Sequence, residues 1–463
     1  MSASVDSGRP GDPATLFSLL GEADHERLFA WRKGRGISVR AFLGDVARAA
    51  ALLPASGSAI NLCEDRYSFV VSYCAAASRG HATLLPSSRA IQAIAEVRSA
   101  YPGAYLLGDQ QACATHADMI RLPEFDIDDR HTALAGLPIE VGAAQVAAIG
   151  FTSGSTGLPK PNIKTWQNFR LGSRLNIEVL SRVLGLTDGQ TASVLATVPA
   201  QHMYGMELSV LLPLFGPFSV HSGRPFFPAD IACELASLPA PRVLVTTPVH
   251  LQALLRESQA LPPLAAIVCA TAPLSRELAQ AVESRYQAPL IEMFGSTETC
   301  VIAHRRTASE CDWQTHPSVA LSPHAEGTLV NADHLCAPVQ LQDIVELDCS
   351  GRFRLCGRNA DLLEIGGKRA SLADLTRRLQ SIDGVDDAVV FQLDAEPGSE
   401  VRRIAALAVA PGRSQRDLLA RLREAVDPLF LPRPLRLVAS LPRNETGKLP
   451  RAALLAALGA EQS

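Results

Sequence analysis

Short apolar runs alternate along this chain with longer amphipathic stretches, and that alternation restricts the fold more than any other feature. Residues 59–62, 82–85 and 104–107 read as strands, with helices between them at 67–77 and 91–100. The pattern resumes at 145–151, a run of the buried-strand type. It continues with strands at 243–246, 265–269 and 290–293 and a helix at 249–257. Apolar strands separated by helices imply βαβ units and a parallel sheet. The fold class expected is α/β.

The texture changes towards the C-terminus. Residues 327–330, 339–347 and 351–355 read as short β segments joined by turns, which suggests an antiparallel subdomain. Beyond 361, a helix at 372–380, strands at 388–392 and 403–410, and a helix at 414–426 describe a small α+β domain. A chain of 463 residues has room for two or more domains. The division expected is a large multi-sheet N-terminal domain, 1–358, followed by a small domain, 359–463.

Composition removes several function classes. Hydrophobic residues make up 47% and charged residues 19%, which is ample for a large core. The net charge of −4 argues against a basic nucleic-acid binder. No apolar stretch is long enough to span a membrane. The first residues lack the basic and apolar regions of a signal peptide, so a cytoplasmic location is expected. The 10 cysteines include no CxxC pair, which leaves reduced, mostly buried thiols as the plain expectation. Of the 43 basic residues only five are lysines: Lys33, Lys160, Lys164, Lys368 and Lys448. Four of them fall in segments that matter below.

The strongest local pattern is Phe151-Thr-Ser-Gly-Ser-Thr-Gly-Leu-Pro-Lys160, directly after a buried-type strand. Thr152, Ser153, Gly154, Ser155, Thr156 and Gly157 are too small and polar to form core. They suit an anion-binding nest of backbone N–H groups and hydroxyls, to which Lys160 adds charge. The spacing is not that of a Walker A loop. A solvated surface loop is the plain alternative.

Residues 152–160 also resemble the signature loop of the adenylate-forming superfamily of acyl-CoA synthetases, luciferases and adenylation domains. Four further segments resemble that family in the same order. They are Phe294-Gly-Ser-Thr-Glu298, Asp343 within residues 342–347, Gly357-Arg358 continuing to Gly366-Gly-Lys-Arg369, and Asn444-Glu-Thr-Gly-Lys448. The resemblance implies activation of a carboxylate by ATP, with Mg²⁺, to an acyl-AMP and pyrophosphate. The loop would then hold phosphates, and Thr156 and Glu298 would bind Mg²⁺. Phe294, with Gly295, Ser296 and Thr297 beside it, would meet adenine. Asp343 and Arg358 would meet the ribose. Lys448, on a mobile C-terminal lid, would contact the carboxylate and α-phosphate. Each residue has a plain alternative: a solvated carboxylate for Glu298, a core aromatic for Phe294, a surface ion pair for Asp343 or Arg358.

The chain departs from the family pattern at Pro161, where glycine is usual, at Lys164-Thr165-Trp166, where Thr-His is usual, and at Ala360, the hinge position. Together with Pro199-Ala-Gln-His-Met-Tyr-Gly205 and residues 366–372, these resemble ligases of aryl-polyene and xanthomonadin pigment biosynthesis. Those load a hydroxyaryl acid, such as a hydroxybenzoate, onto an acyl carrier protein. His202, Tyr204, Ala270, Thr271 and Gly295 are then the candidate acid-pocket residues. Tyr204 otherwise reads as core and His202 as a structural histidine. In Ala270-Thr-Ala-Pro273, side chains replace the family's glycines and should narrow the pocket towards a small aromatic acid.

The thiol acceptor stays open between a carrier protein's phosphopantetheine and free CoA. Residues 413–451 hold nine Lys/Arg against four Asp/Glu, a local charge of about +5 in an acidic chain. That charge would steer an acidic carrier protein and equally suits the phosphates of CoA or a solvated helix face. A nucleotide-binding protein without catalysis is the remaining alternative of another class.

Overall fold

The computed structural model describes residues 15–21, 24–86, 89–112, 118–125, 138–153, 159–324, 327–358, 362–365, 368–393, 403–444 and 447–459. The chain forms two compact units. One comprises Met1–Cys311, His316–Val319 and Ala332–Ala337, the other Asp312–Thr315, Ala320–Asn331 and Pro338–Ser463. The division expected after residue 358 falls inside the second unit.

The first unit is built on two sheets. In one, the strands run in the order Val146–Ser153, Thr83–Leu85, Ser58–Asn61, Ala104–Gly108, Ile120–Arg121, all parallel. Pro159–Thr165 adds an antiparallel edge beside Val146–Ser153. In the other, Leu290–Ser296, Ala266–Cys269, Arg242–Thr246, Ala192–Ala196, Phe218–His221 and Leu28–Arg32 are parallel neighbours. Cys300–Arg305 pairs antiparallel with Leu290–Ser296, and Arg35–Ser38 with Leu28–Arg32.

The second sheet is buried on both faces, and its sequence says why. Leu195, Leu244, Ile267, Cys269 and Leu290 pack under the helices Pro228–Ser237, Pro248–Arg256 and Arg276–Tyr286. Their neighbours Val194, Val243, Val245, Val268, Ile291 and Met293 face the other way, onto Val179 and Leu180 of helix Trp166–Leu184 and onto Tyr204 and Leu208. The period of two puts apolar side chains on both faces, as a parallel sheet requires. Helix Arg66–Ser78 packs against strands of both sheets and is buried along almost its entire length.

The second unit has its own core. Asp387–Gln392 and Ile404–Val409 pair antiparallel, and Leu435–Leu437 adds in parallel. Ile404, Ala406 and Ala408 meet Leu375 and Leu379 of helix Leu372–Gln380 and Leu418 and Leu422 of helix Gln415–Ala425. Ala405 and Leu407 point to the opposite face, onto Leu454 of helix Arg451–Gly459. Before this core, Gly327–Ala332 pairs antiparallel with Val339–Leu341, and Asp343–Leu347 with Arg352–Arg358. The stretch expected as one strand at 339–347 is therefore two, broken at Gln342. Among the described residues no helix is long and apolar enough to cross a membrane.

Candidate active site

The segments singled out in the first unit lie at the carboxyl ends of its parallel strands, where open α/β sheets bind ligands. Thr152 and Ser153 end the strand Val146–Ser153, residues 197–204 follow Ala192–Ala196, Ala270 and Thr271 follow Ala266–Cys269, and Thr297 and Glu298 follow Leu290–Ser296.

The strands on either side of the signature loop pair antiparallel. Thr152 stands opposite Lys160, and Ser153 opposite Pro159. Gly154, Ser155, Thr156 and Gly157 lie outside the described residues. The two flanking strands are tied together by Asn162, whose Nδ2 donates to Gly150 O at 3.3 Å, Thr152 Oγ1 at 3.3 Å and Lys160 O at 3.2 Å. Thr152 is half-buried and Lys160 exposed. A Cβ built on Gly150 would stand 2.9 Å from Thr297 Cγ2 and 3.5 Å from Met203 Cε. That glycine therefore marks where the loop strand, the turn before Glu298 and the segment after His202 come together.

The strand expected at 290–293 runs on to Ser296 and ends in a tight turn. Leu290–Ser296 continues through the motif and returns as Cys300–Arg305, with a bulge between Phe294 and Gly295. Ser296 and Thr299 close the turn: Thr299 Oγ1 accepts from Ser296 N and Ser296 Oγ from Thr299 N, both at 3.1 Å. A Cβ on Gly295 would lie 2.2 Å from Cys300 O, so only glycine fits the bulge. Phe294 and Glu298 are half-buried on this hairpin. Mg²⁺ takes one or two carboxylates and completes its shell with substrate phosphates and water, so a single accessible carboxylate suits it. Among the described residues no group of three or more His, Cys, Asp or Glu forms a metal cage.

Behind this turn lies a buried polar cluster. Lys164 is 4% exposed, and its Nζ donates to Glu298 O. His334 Nε2 donates to Thr299 O at 2.9 Å. Val301 N donates to both oxygens of Glu207, at 3.1 and 3.0 Å, and Asn176 Nδ2 donates to Glu207 at 3.2 Å. Burial pushes the Glu207 carboxyl up to about 7, opposed by the Val301 N–H, Asn176 and the Lys164 charge. Burial likewise pushes the Cys300 thiol up to about 12.

The candidate acid-pocket residues divide into two kinds. His202 is half-buried at the start of helix Met203–Met206. Tyr204 is part of the core: its hydroxyl donates to Thr246 O at 3.2 Å and Val268 O at 3.0 Å. A buried arginine, Arg66, holds the start of this segment, donating to Ala196 O at 2.9 Å and Val198 O at 2.7 Å. Ala270 is buried, and Thr271 is half-buried with φ of +81°, a strained conformation for a β-branched residue.

In the second unit, Asp343 and Arg358 face each other across two antiparallel strands. Asp343 is half-buried, and its carbonyl accepts from Thr328 Oγ1 at 2.7 Å. Gly357, at φ +126°, sits in the bulge beside this pair. The hinge residues 359–361, Ala360 among them, lie outside the described residues. Lys448 is exposed at the end of a turn closed three times on Asn444. Lys448 N donates to Asn444 Oδ1 at 2.9 Å, Asn444 N to Lys448 O at 2.8 Å, and Gly447 N to Asn444 O at 2.9 Å. Arg443 braces it, donating to Gly447 O at 2.9 Å and to the Asp387 carboxylate.

Of the groups now in view, Arg66, Glu207 and His334 carried no signal in the sequence beyond being polar residues in apolar surroundings. Lys164 stood out only as a departure from the family pattern.

Residues 59–340 match the AMP-binding enzyme family. The 4-coumarate–CoA ligase of Halorhodospira halophila is 28% identical over 343 residues, covering 71% of this chain and 83% of that protein. The 4-chlorobenzoate–CoA ligase of an Arthrobacter species is 25% identical over 353 residues, 68% of this chain and 66% of that one. Among solved structures, the o-succinylbenzoate CoA synthetase of Bacillus subtilis with its acyl-adenylate intermediate superposes with a TM-score of 0.75. It is 18% identical and covers 93% of this chain and 95% of that one. The chain belongs to the AMP-binding enzyme family, has the adenylate-forming fold, and is an AMP-forming acid–thiol ligase.

Proposed function

We propose that this enzyme activates a small hydroxyaryl acid, such as a hydroxybenzoate, and passes it to the phosphopantetheine thiol of an acyl carrier protein. The observation that carries the acid assignment is the loop after Ala266–Cys269. Buried Ala270 and strained Thr271 put side chains where the family resemblance expects glycines, which favours a short, flat acid. The ring face of Tyr204 beneath this loop suits an aromatic ring.

In this reading the acid carboxylate attacks the α-phosphate of ATP, forming the acyl–O–P bond while pyrophosphate leaves. Charge builds on phosphoryl oxygens, so the chain contributes mainly position and electrostatics. Residues 152–157 of the signature loop, with Lys160, hold the β- and γ-phosphates. Thr156 and Glu298 would hold Mg²⁺, which would neutralise phosphate charge. Phe294, with Gly295, Ser296 and Thr297, lies along adenine. Asp343 accepts from the ribose hydroxyls and Arg358 donates to them. Lys448 contacts the carboxylate and α-phosphate. His202 and Thr271 close the pocket around the ring. The thiol then attacks the acyl carbon, and AMP leaves.

ATP–pyrophosphate exchange across hydroxybenzoates, cinnamates and fatty acids tests the acid assignment. Activity confined to small aryl acids supports it, and efficient turnover of palmitate with silence on hydroxybenzoates refutes it. A second reading, transfer to free CoA, is favoured by the names of the relatives, which are CoA ligases. One assay offering both a phosphopantetheinylated carrier and CoA decides between them by which thioester accumulates.

A further inference from the structure

Three local irregularities in the first unit converge on one turn. The pairing of Pro159–Thr165 with Val146–Ser153 shifts register between Lys164 and Thr165, where Ala147 of the partner strand is the extra residue. Glu207 opens a π-helical turn, Glu207–Leu211, in the helical run after Tyr204. The pairing of Leu290–Ser296 with Cys300–Arg305 shifts register between Phe294 and Gly295, with Ile302 the extra residue. Beside them lie three grips on backbone within residues 298–301: Lys164 on Glu298 O, His334 on Thr299 O, and Glu207 on Val301 N. Lys164 is 4% exposed and Glu207 3%.

Burying a lysine and a carboxylate is expensive, and an apolar pair of similar volume generally serves stability as well. What the charged pair adds is direction. Lys164 comes from the strand leaving the signature loop, Glu207 from the segment carrying His202 and Tyr204, and both end on the turn that carries Glu298. We infer that Lys164 and Glu207 are positioning residues that set Glu298 relative to the phosphate loop and the acid pocket, with His334 completing the brace. This rests on the proposed role of Glu298 towards Mg²⁺. The brace reaches Glu298 through its main chain and leaves the carboxylate free to bind.

The test compares wild type with Lys164→Met, Glu207→Gln, the double variant and Glu298→Gln. Two readouts are taken: the magnesium dependence of ATP–pyrophosphate exchange, and amide hydrogen exchange in the peptide spanning residues 294–301. Lys164→Met should raise the magnesium needed for half-maximal exchange by about 10–100-fold and lower kcat by about 10²-fold. KM for the acid should stay within about twofold, because the acid pocket keeps its own residues. Hydrogen exchange in the 294–301 peptide should quicken.

The double variant removes both buried charges, so its melting temperature should recover relative to Lys164→Met. Its magnesium dependence should stay impaired, which a purely structural pair would not show. Wild-type magnesium dependence and wild-type protection in the folded double variant would overturn the inference. If Glu298→Gln leaves magnesium dependence unchanged, the role given to Glu298 fails. Hydrogen exchange then still decides whether the brace holds the turn.

Discussion

At the scale of single residues, the molecule separates groups that present chemistry from groups that hold them in place. Lys448 is exposed and its turn is closed by backbone and Asn444 contacts, so its side chain adds little to stability. Lys448→Ala should lower adenylation by about 10²–10³-fold, the loss of one preorganised charge-stabilising donor. Its melting temperature should stay close to wild type, and a pyrophosphate-exchange rate near wild type would remove Lys448 from the mechanism. Tyr204 behaves in the opposite way. Its hydroxyl is spent on Thr246 O and Val268 O, so Tyr204→Phe should cost about 1 kcal/mol of stability and leave KM for the acid unchanged. A rise in that KM of tenfold or more would show that the hydroxyl reads the substrate.

At the scale of elements, the signature loop is held by the hairpin beneath it. Asn162 bonds Gly150, Thr152 and Lys160 across the pair of strands. Asn162→Ala should therefore raise KM for ATP several-fold and cost about 1 kcal/mol of stability. Unchanged KM for ATP would mean that the turn sets its own conformation. The strands and helices on either side of this hairpin were legible in the sequence because their apolar periods are strong. Helix Ile91–Ala100 lies where periodicity places it, and Ala266–Cys269 starts one residue later than its apolar run. The antiparallel partners Pro159–Thr165 and Cys300–Arg305 were not legible. Pro159–Thr165 carries two prolines and two lysines, and Cys300–Arg305 follows a turn of Ser and Thr that reads as open loop. Tertiary pairing, not local propensity, makes them strands. The site motifs were legible as residue types, whereas the Lys164–Glu207–His334 cluster needs three distant segments to meet and leaves no local pattern.

At the scale of the whole molecule, buried histidines make stability depend on acid. Burial lowers His316 to about 3, with His304 and His334 beside it, and lowers His250 to about 4. A depressed pKa contributes stability above the ordinary value near 6.5 that is lost as pH falls from there towards the folded value. Each such histidine contributes a slope of about 1.4 kcal/mol per pH unit across its window. Glu207, raised to about 7, works in the other direction and gains stability as pH falls through that value. The test is therefore a difference: His316→Asn should lose less melting temperature than wild type between pH 7 and pH 5. Parallel curves would place the acid sensitivity elsewhere. The central claim concerns chemistry, and it is tested most directly by quenching a mixture of enzyme, Mg-ATP and a hydroxybenzoate without any thiol, and identifying the products by mass spectrometry. The account predicts enzyme-bound hydroxybenzoyl-AMP with one pyrophosphate per adenylate, and its near-absence in Lys448→Ala. Release of ADP and phosphate, or adenylate formed only with long-chain fatty acids, would contradict it.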